Sequence, residues 1–147
     1  MVLVPLGLVI PQFLTFSASP SLRHHLFLMT PSWCRPGPSA IQTGSLVRFP
    51  RQDEVTGGRK VYLLKRVGCL SEQSLKVSGK NYYCDGAYLG KAKEHDKKGR
   101  MVRNFEWDGP VPDGQFFAIA DHKDSYDSRY YGFVELSKVE NRAWPLL

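Results

Sequence analysis

Residues 61–67, with the sequence VYLLKRV, restrict the possible fold more than any other part of the chain. Successive side chains of a β-strand point to opposite faces, so Val61, Leu63, Lys65 and Val67 would share one face. Similar short segments, rich in β-branched and aromatic residues, recur between glycine and proline turns at residues 26–29, 44–49, 74–78, 82–84, 87–89, 115–120 and 131–136. We therefore predict an all-β fold, mainly antiparallel, built on a coiled sheet.

Lys65 lies in the middle of this predicted strand and has aliphatic neighbours on the same face. Most strand lysines extend their charged end into solvent from a strand terminus, and that ordinary role is the alternative here. A central position in an apolar row favours burial instead. Desolvation disfavours the ammonium form and lowers the pKa of a lysine, which is what a general base near neutral pH requires.

A polar run, DSYDSRYYG at residues 124–132, follows a turn and a predicted buried strand. Two carboxylates, two hydroxyls and an arginine within six positions can hydrogen-bond to one another and to the backbone. This composition predicts a rigid, irregular segment. We expect the segment to support a functional group elsewhere in the chain, and Lys65 is the candidate.

The formal net charge of +6 over 147 residues would suit nucleic acid or an anionic membrane surface. The cationic residues are scattered, however. The densest run, residues 91–100, also carries acidic residues and is typical of a solvated loop. We therefore expect no nucleic-acid partner.

The three cysteines, Cys34, Cys69 and Cys84, match no zinc-binding spacing and have no histidine pair nearby. We expect neither a metal ion nor another cofactor. The residues between Cys69 and Cys84 read as strand, turn and strand, so these two thiols would face each other across a ladder. They would form a disulfide in an oxidising compartment and remain buried thiols in the cytosol.

Residues 1–17 are apolar with few exceptions. A membrane span needs about 20 apolar residues, so this segment is short, and Pro5 and Pro11 interrupt it. It also lacks the cationic start of a secretory signal. We interpret it as a membrane anchor that is marginal or truncated, with a buried strand pair as the alternative, and assign residues 18–147 to one folded domain.

Three segments together resemble the bacterial type I signal peptidases: LKRV at residues 64–67 followed by Gly68, PDGQFF at 112–117, and SYDSRYYG at 125–132. Within those enzymes the sequence is most similar to the conjugal-transfer (TraF-type) peptidase branch, which is short and lacks a large inserted domain. The resemblance spans residues 19–147. It implies that residues 18–147 form a signal-peptidase-like catalytic domain with a serine nucleophile and a lysine base.

The resemblance assigns roles to four residues around the polar run. Lys65 would be the general base that accepts the proton of the serine hydroxyl, and Ser125 would hydrogen-bond to its amine and aim it. Asp127 and Arg129 would form a bidentate ion pair that braces the segment. The alternative for this pair is a surface contact that contributes little to stability.

The resemblance also places the nucleophile shortly after the anchor, before a bulky apolar residue and a strand. Ser21 fits, and Ser19 would supply a hydroxyl to the oxyanion hole. Ser32, in the similar sequence TPSW, is the alternative nucleophile, although fewer residues separate it from Lys65. Arg23 departs from the family, which commonly has proline or another small turn-forming residue at this position.

The resemblance further implies that the substrate is an exported precursor, such as a pilin or another conjugal-transfer protein, bound as an added strand. The domain would be anchored to the inner membrane and lie in the periplasm, where Cys69 and Cys84 would form a disulfide. One alternative is a self-cleaving repressor of the Ser-Lys type, but residues 1–40 show no helix-turn-helix pattern. The other is a catalytically inactive assembly factor of a conjugation apparatus that retains the fold.

Overall fold

The computed structural model describes residues 13–17 and 22–147. In this part of the chain the regular structure is mostly β-strand, with one four-residue helix, α1 (Ser128–Tyr131), and 3-10 turns at Pro38–Ala40 and Leu136–Lys138. The prediction of an all-β fold is therefore confirmed. The strands are β1 (Leu14–Phe16), β2 (Leu26–Met29), β3 (Leu46–Arg51), β4 (Val61–Leu70), β5 (Ser74–Ser78), β6 (Asn81–Cys84), β7 (Ala87–Lys91), β8 (Asp108–Pro110), β9 (Gln115–Ile119), β10 (Val134–Glu135) and β11 (Asn141–Pro145).

Seven strands form an antiparallel sheet, the large sheet, in the order β1-β2-β11-β3-β4-β9-β10. Three strands separate β1 from β4, which in a flat sheet would place the two roughly 19 Å apart. Thr15 of β1 and Lys65 of β4 nevertheless line the same cleft. The large sheet is therefore strongly coiled, as its right-handed twist allows.

The remaining strands form the small sheet, in the order β7-β6-β5-β8. A disulfide between Cys69 of β4 and Cys84 of β6 joins the two sheets. The expectation that these cysteines face each other across a ladder is wrong, because Cys69 pairs with Phe117 in the large sheet and Cys84 with Leu75 in the small sheet. The chain leaves the large sheet after Leu70 and enters the small sheet at β5, so the disulfide links sheets rather than neighbouring strands.

A bulge at Gly68 makes this cross-link possible. The pairing of β4 with β9 shifts between Val67 and Cys69, which leaves Gly68 as the extra residue. Val67 packs in one core cluster with Ala118, whereas Cys69 packs with Phe117 in a second cluster that includes side chains of the small sheet. The bulge thus turns neighbouring parts of one strand toward two different cores.

The predicted strand at residues 131–136 is replaced by the end of α1 and the two-residue strand β10. The helix starts because the Asp127 side chain accepts a hydrogen bond from the N–H of Arg129, and it ends at Gly132, whose φ is 77°. The last strand of the chain is β11, and it lies between β2 and β3 in the large sheet.

The predicted anchor at residues 1–17 lies mostly outside the described residues. Its described end contains β1, an edge strand of the large sheet in which Leu14 pairs with Leu28 of β2. Within residues 13–17 and 22–147, no helix combines the length and hydropathy that a membrane crossing requires.

Candidate active site

Lys65 lies near the middle of β4, opposite Val47 of β3, and only 4% of its surface is exposed. Burial lowers the pKa of Lys65 from its ordinary value of 10.5, because water no longer solvates the ammonium form. The Asp127 carboxylate opposes this shift, and the Arg129 guanidinium adds to it. At a given pH, Lys65 therefore holds more neutral amine than an exposed lysine, which suits a proton acceptor.

The Lys65 amine donates a hydrogen bond to Ser125 Oγ, with Nζ and Oγ 3.3 Å apart. Both residues are buried, although 60 positions separate them in the chain. A turn places the serine, because the N–H of Ser125 donates to the carbonyl oxygen of His122. The structure thus brings together two of the residues that the resemblance singled out.

Asp127 and Arg129 form a bidentate ion pair immediately after Ser125. Arg129 Nε lies 2.9 Å from Asp127 Oδ1, and Nη2 lies 2.8 Å from Oδ2, with side-chain exposures of only 2% and 0%. Asp127 Oδ2 also accepts a hydrogen bond from the N–H of Ala120 at the end of β9. Arg129 donates to the carbonyl oxygens of Lys91 and His122. The pair is buried and fully partnered, so the alternative of a surface contact does not apply.

Two further contacts fix the polar segment, and sequence reasoning did not find either. The Ser128 hydroxyl accepts a hydrogen bond from the N–H of Ala118 in β9, with O and N 2.8 Å apart. The Tyr126 hydroxyl donates to Asp53 Oδ2 at 2.8 Å. Burial, together with the nearby Asp53 carboxylate, raises the pKa of Tyr126 to about 12, so it remains a donor. Asp53 is 73 positions away, and no local pattern points to it.

A cleft of about 450 Å³ is lined by Lys65 and Ser125. Residues 15–17, β4 residues 62–64, His122 and residues 124–126 also line it. Ser17 is a cleft serine that sequence reasoning did not consider; its position directly after an apolar segment was the available signal. The β1 end of the chain therefore lines the same cleft as the buried amine.

The two serines of the predicted nucleophile and oxyanion site, Ser21 and Ser19, lie outside the described residues. Of the described residues that flank them, Ser17 lines the cleft, and Leu22 is 4% exposed within a core cluster. The alternative nucleophile, Ser32, lies on the exposed loop after β2 and is not among the residues that line the cleft.

The polar groups around the cleft suit proton transfer and nucleophilic chemistry. They include the Lys65 amine, the hydroxyls of Ser17 and Ser125, and the His122 imidazole. Across residues 13–17 and 22–147, no three histidine, cysteine, aspartate or glutamate side chains are grouped so that they could hold a metal ion.

These features define an all-β protein with a buried lysine and a serine hydroxyl in a polar cleft. The family model described as "Signal peptidase, peptidase S26" matches residues 2–146, almost the whole chain. The chain belongs to this signal peptidase family. Membership implies a serine endopeptidase, in a class that is typically associated with membranes.

Solved structures also match the chain. One of them is the crystal structure of a signal peptidase I from Enterococcus faecalis, which is 24% identical. That match covers 78% of this chain and 99% of the other, with a TM-score of 0.43. A search of curated proteins found no match.

Proposed function

We propose that this signal peptidase belongs to the conjugal-transfer (TraF-type) branch and cleaves exported precursors with a dyad of Ser21 and Lys65. The observation that carries the proposal is the buried Lys65 amine, hydrogen-bonded to Ser125 in a solvent-accessible cleft. Burial favours the neutral amine, and the cleft gives a polypeptide access to it. The substrates are pilin or other conjugal-transfer proteins.

In the proposed reaction, Ser21 Oγ attacks the scissile carbonyl carbon and transfers its proton to Lys65 Nζ. The backbone N–H of Ser21 and the Ser19 hydroxyl stabilise the oxyanion. When the C–N bond breaks, the Lys65 ammonium returns the proton to the leaving amine. The neutral amine then takes a proton from water, which hydrolyses the acyl-enzyme ester and releases the second product.

Chain connectivity supports the choice of Ser21 over Ser32. Leu22 belongs to the core cluster against which Leu64, the β4 neighbour of Lys65, packs. On the other flank, Ser17 lines the cleft itself.

Ser125 and the Asp127–Arg129 pair act on the base rather than on the substrate. Ser125 holds the Lys65 amine by a direct hydrogen bond. The ion pair fixes the segment that carries Ser125, because Asp127 binds β9 and Arg129 binds the carbonyl oxygen of His122. A base held in this way needs little reorganisation when the proton is transferred.

Two observations support a periplasmic domain held at the inner membrane. The Cys69–Cys84 disulfide requires an oxidising compartment to persist. Leu14, Leu28 and Trp144 lie directly opposite one another on three adjacent strands, and each is 36–41% exposed. Leu14, the first residue of this apolar row, belongs to the proposed anchor, residues 1–17. Substrate would bind beside the cleft as an extended strand.

The test is cleavage of an exported precursor by purified variants, followed by mass spectrometry. Ser21→Ala and Lys65→Ala should each abolish cleavage, while Ser32→Ala should retain it. Circular dichroism checks that each variant folds, and Lys65→Met preserves more side-chain volume if Lys65→Ala does not. Full activity in Ser21→Ala together with loss in Ser32→Ala would reassign the nucleophile. Full activity in both Ser21→Ala and Lys65→Ala would overturn the dyad, and a wild-type chain that cleaves no precursor would favour the inactive assembly factor.

A further inference from the structure

Residues 92–103 form an ordered projection beside the cleft, which we call the basic hairpin. His95 and Met101 form an antiparallel bridge, and the N–H of Val102 donates to the carbonyl oxygen of Glu94. Asp96 closes the turn, because its Oδ1 accepts hydrogen bonds from the N–H groups of residues 98 and 100. The hairpin is therefore a defined structure, although its sequence is typical of a solvated loop.

The base of the hairpin is bonded to the same segment that supports Lys65. Arg129 Nη1 donates to the carbonyl oxygen of Lys91, and the N–H of Lys93 donates to the Tyr130 hydroxyl at 3.0 Å. The Lys93 amine also lies 2.5 Å from Asp124 Oδ1. These contacts fix the hairpin relative to the active-site segment, so its charges occupy a constant place beside the cleft.

A groove of about 1010 Å³ runs between the hairpin and the active-site segment. Four of its lining residues also line the cleft that contains Lys65, namely Lys97, Asp124, Ser125 and Tyr126. The groove and the cleft are therefore continuous. A polypeptide that enters the cleft has a path along the groove.

The lining of the groove is positively charged. Five cationic residues and three carboxylates line it; the cations are Lys93, Lys97, Lys98, Arg100 and Arg103, and the acids are Glu54, Asp96 and Asp124. Lys93 and Arg100 pair with Asp124 and Asp96, respectively. Within the described part of the chain, the other three cations make no ion pair. They remain available to an anionic ligand.

The groove also offers apolar contact surface. Met101 is 84% exposed and Val55 is 68% exposed, and both line it. Apolar side chains between unpaired cations fit a peptide that carries acidic residues among apolar ones. A concave surface continuous with a cleft fits a chain better than it fits the plane of a lipid bilayer.

We propose that the groove binds a segment of the precursor beside the scissile bond and selects acidic side chains in that segment. Lys97, Lys98 and Arg103 supply the complementary charge. The proposal rests on the proposed function, since it takes the precursor as the occupant. It adds a charge preference on one side of the cut.

The experiment measures binding without cleavage. Peptides spanning a cleavage site are made with an N-methylated scissile amide. For each side of this amide, a peptide with two aspartates is compared with a peptide that has two asparagines in their place. Fluorescence anisotropy with the intact chain should show that the aspartate peptide binds about 3- to 10-fold more tightly for one side only. The difference should shrink as salt is raised, since rim charges are screened.

Charge-reversal variants identify the surface. Lys98→Glu with Arg103→Glu should abolish or invert the preference for aspartate. Lys76→Glu, a matched reversal on exposed β5 away from the groove, should leave the preference intact. Equal affinity for the two peptides in the wild-type chain, or equal loss of preference in Lys76→Glu, would overturn the proposal.

The same variants separate peptide from lipid. If the chain binds phosphatidylglycerol vesicles through Lys98 and Arg103 while the peptides are not discriminated, the hairpin faces an anionic membrane and the proposal is wrong. Because binding needs no turnover, a failure of the Ser21–Lys65 dyad leaves this readout unaffected. If the groove shows no preference for aspartate, cleavage of a neutral precursor still tests the Ser21–Lys65 dyad independently.

Discussion

Arg129 Nη1 donates a hydrogen bond to the carbonyl oxygen of Lys91, with the two atoms 2.8 Å apart, while Nε and Nη2 of the same guanidinium bind Asp127. One side chain therefore joins the segment that holds the candidate base to the root of the basic hairpin. A lysine could not replace it, because an ammonium lacks the planar fork that reaches both partners.

Arg129→Ala should destabilise the fold by about 3–5 kcal/mol, because it leaves the Asp127 carboxylate buried without its partner. Urea unfolding measures the change. Arg66→Ala is the matched control, since Arg66 pairs with Asp121 at side-chain exposures of 34% and 28% and should contribute much less. An effect of Arg129→Ala no larger than that of Arg66→Ala would contradict the role of the buried pair.

The rate of cleavage should rise with pH as Lys65 loses its proton. The burial of Lys65 lowers its pKa, so the midpoint of kcat/KM against pH should fall below 10.5, the value for an unperturbed lysine. The measurement uses a precursor without groups that titrate in the same range. A midpoint at or above 10.5 would show that desolvation does not control this lysine.

Stability should also depend on the protonation of Lys65. Its folded-state pKa is below its unfolded value, so between these two values the unfolded chain binds more protons and the free energy of unfolding rises with pH. Lys65→Met should be more stable than the wild type below the folded pKa, and the difference should shrink as the pH rises toward 10.5. Lys76→Met, at an exposed position, should follow the wild-type profile; a constant difference for Lys65→Met would argue against burial of the charged form.

Replacement of both Cys69 and Cys84 by alanine should lower the free energy of unfolding by about 3 kcal/mol, as expected for a bond with a sequence separation of 15. Thermal unfolding with and without dithiothreitol measures it, and the reductant should have no effect on the double variant. Cys34→Ser provides the control, since Cys34 is exposed and outside the bond. Equal stability of the double variant and the wild type would mean that the cross-link between the sheets is dispensable.

Gly68→Ala should destabilise the fold by about 1–3 kcal/mol, because a Cβ at this position would lie 2.9 Å from Ile119 Cγ2. Chemical denaturation measures the loss. Gly37→Ala is the control, since no atom lies within 4 Å of a Cβ there. If Ile119→Ala in the same chain does not reduce the effect of Gly68→Ala, the steric explanation is wrong.

Local alternation was enough to predict the strand that carries Lys65, because a period of two is visible within seven residues. The burial of Lys65 follows from the same pattern. The four-residue helix α1 could not be predicted in this way, since it is too short to show a helical period and is set by the Asp127 cap and Gly132.

Contacts between residues that are distant in the sequence could not be predicted from any local pattern. The bond from Tyr126 to Asp53 joins residues 73 positions apart, and the place of Cys84 depends on how two sheets pack. The basic hairpin has the composition of a solvated loop. Its order comes from its own bridge and the Asp96 turn, and hydrogen bonds from Arg129 to Lys91 and from Lys93 to Tyr130 fix its base in the tertiary structure.

The bulge at Gly68 allows one strand, β4, to carry both the candidate base and a cysteine of the disulfide. Lys65 and Cys69 are four positions apart, so a regular strand would point both to the same side. The extra residue resets the phase of β4: the amine stays on the side of the cleft, and the sulfur crosses to the small sheet. Deletion of Gly68 would put the two residues three positions apart, and a regular strand would then point the amine and the sulfur to opposite sides without a bulge.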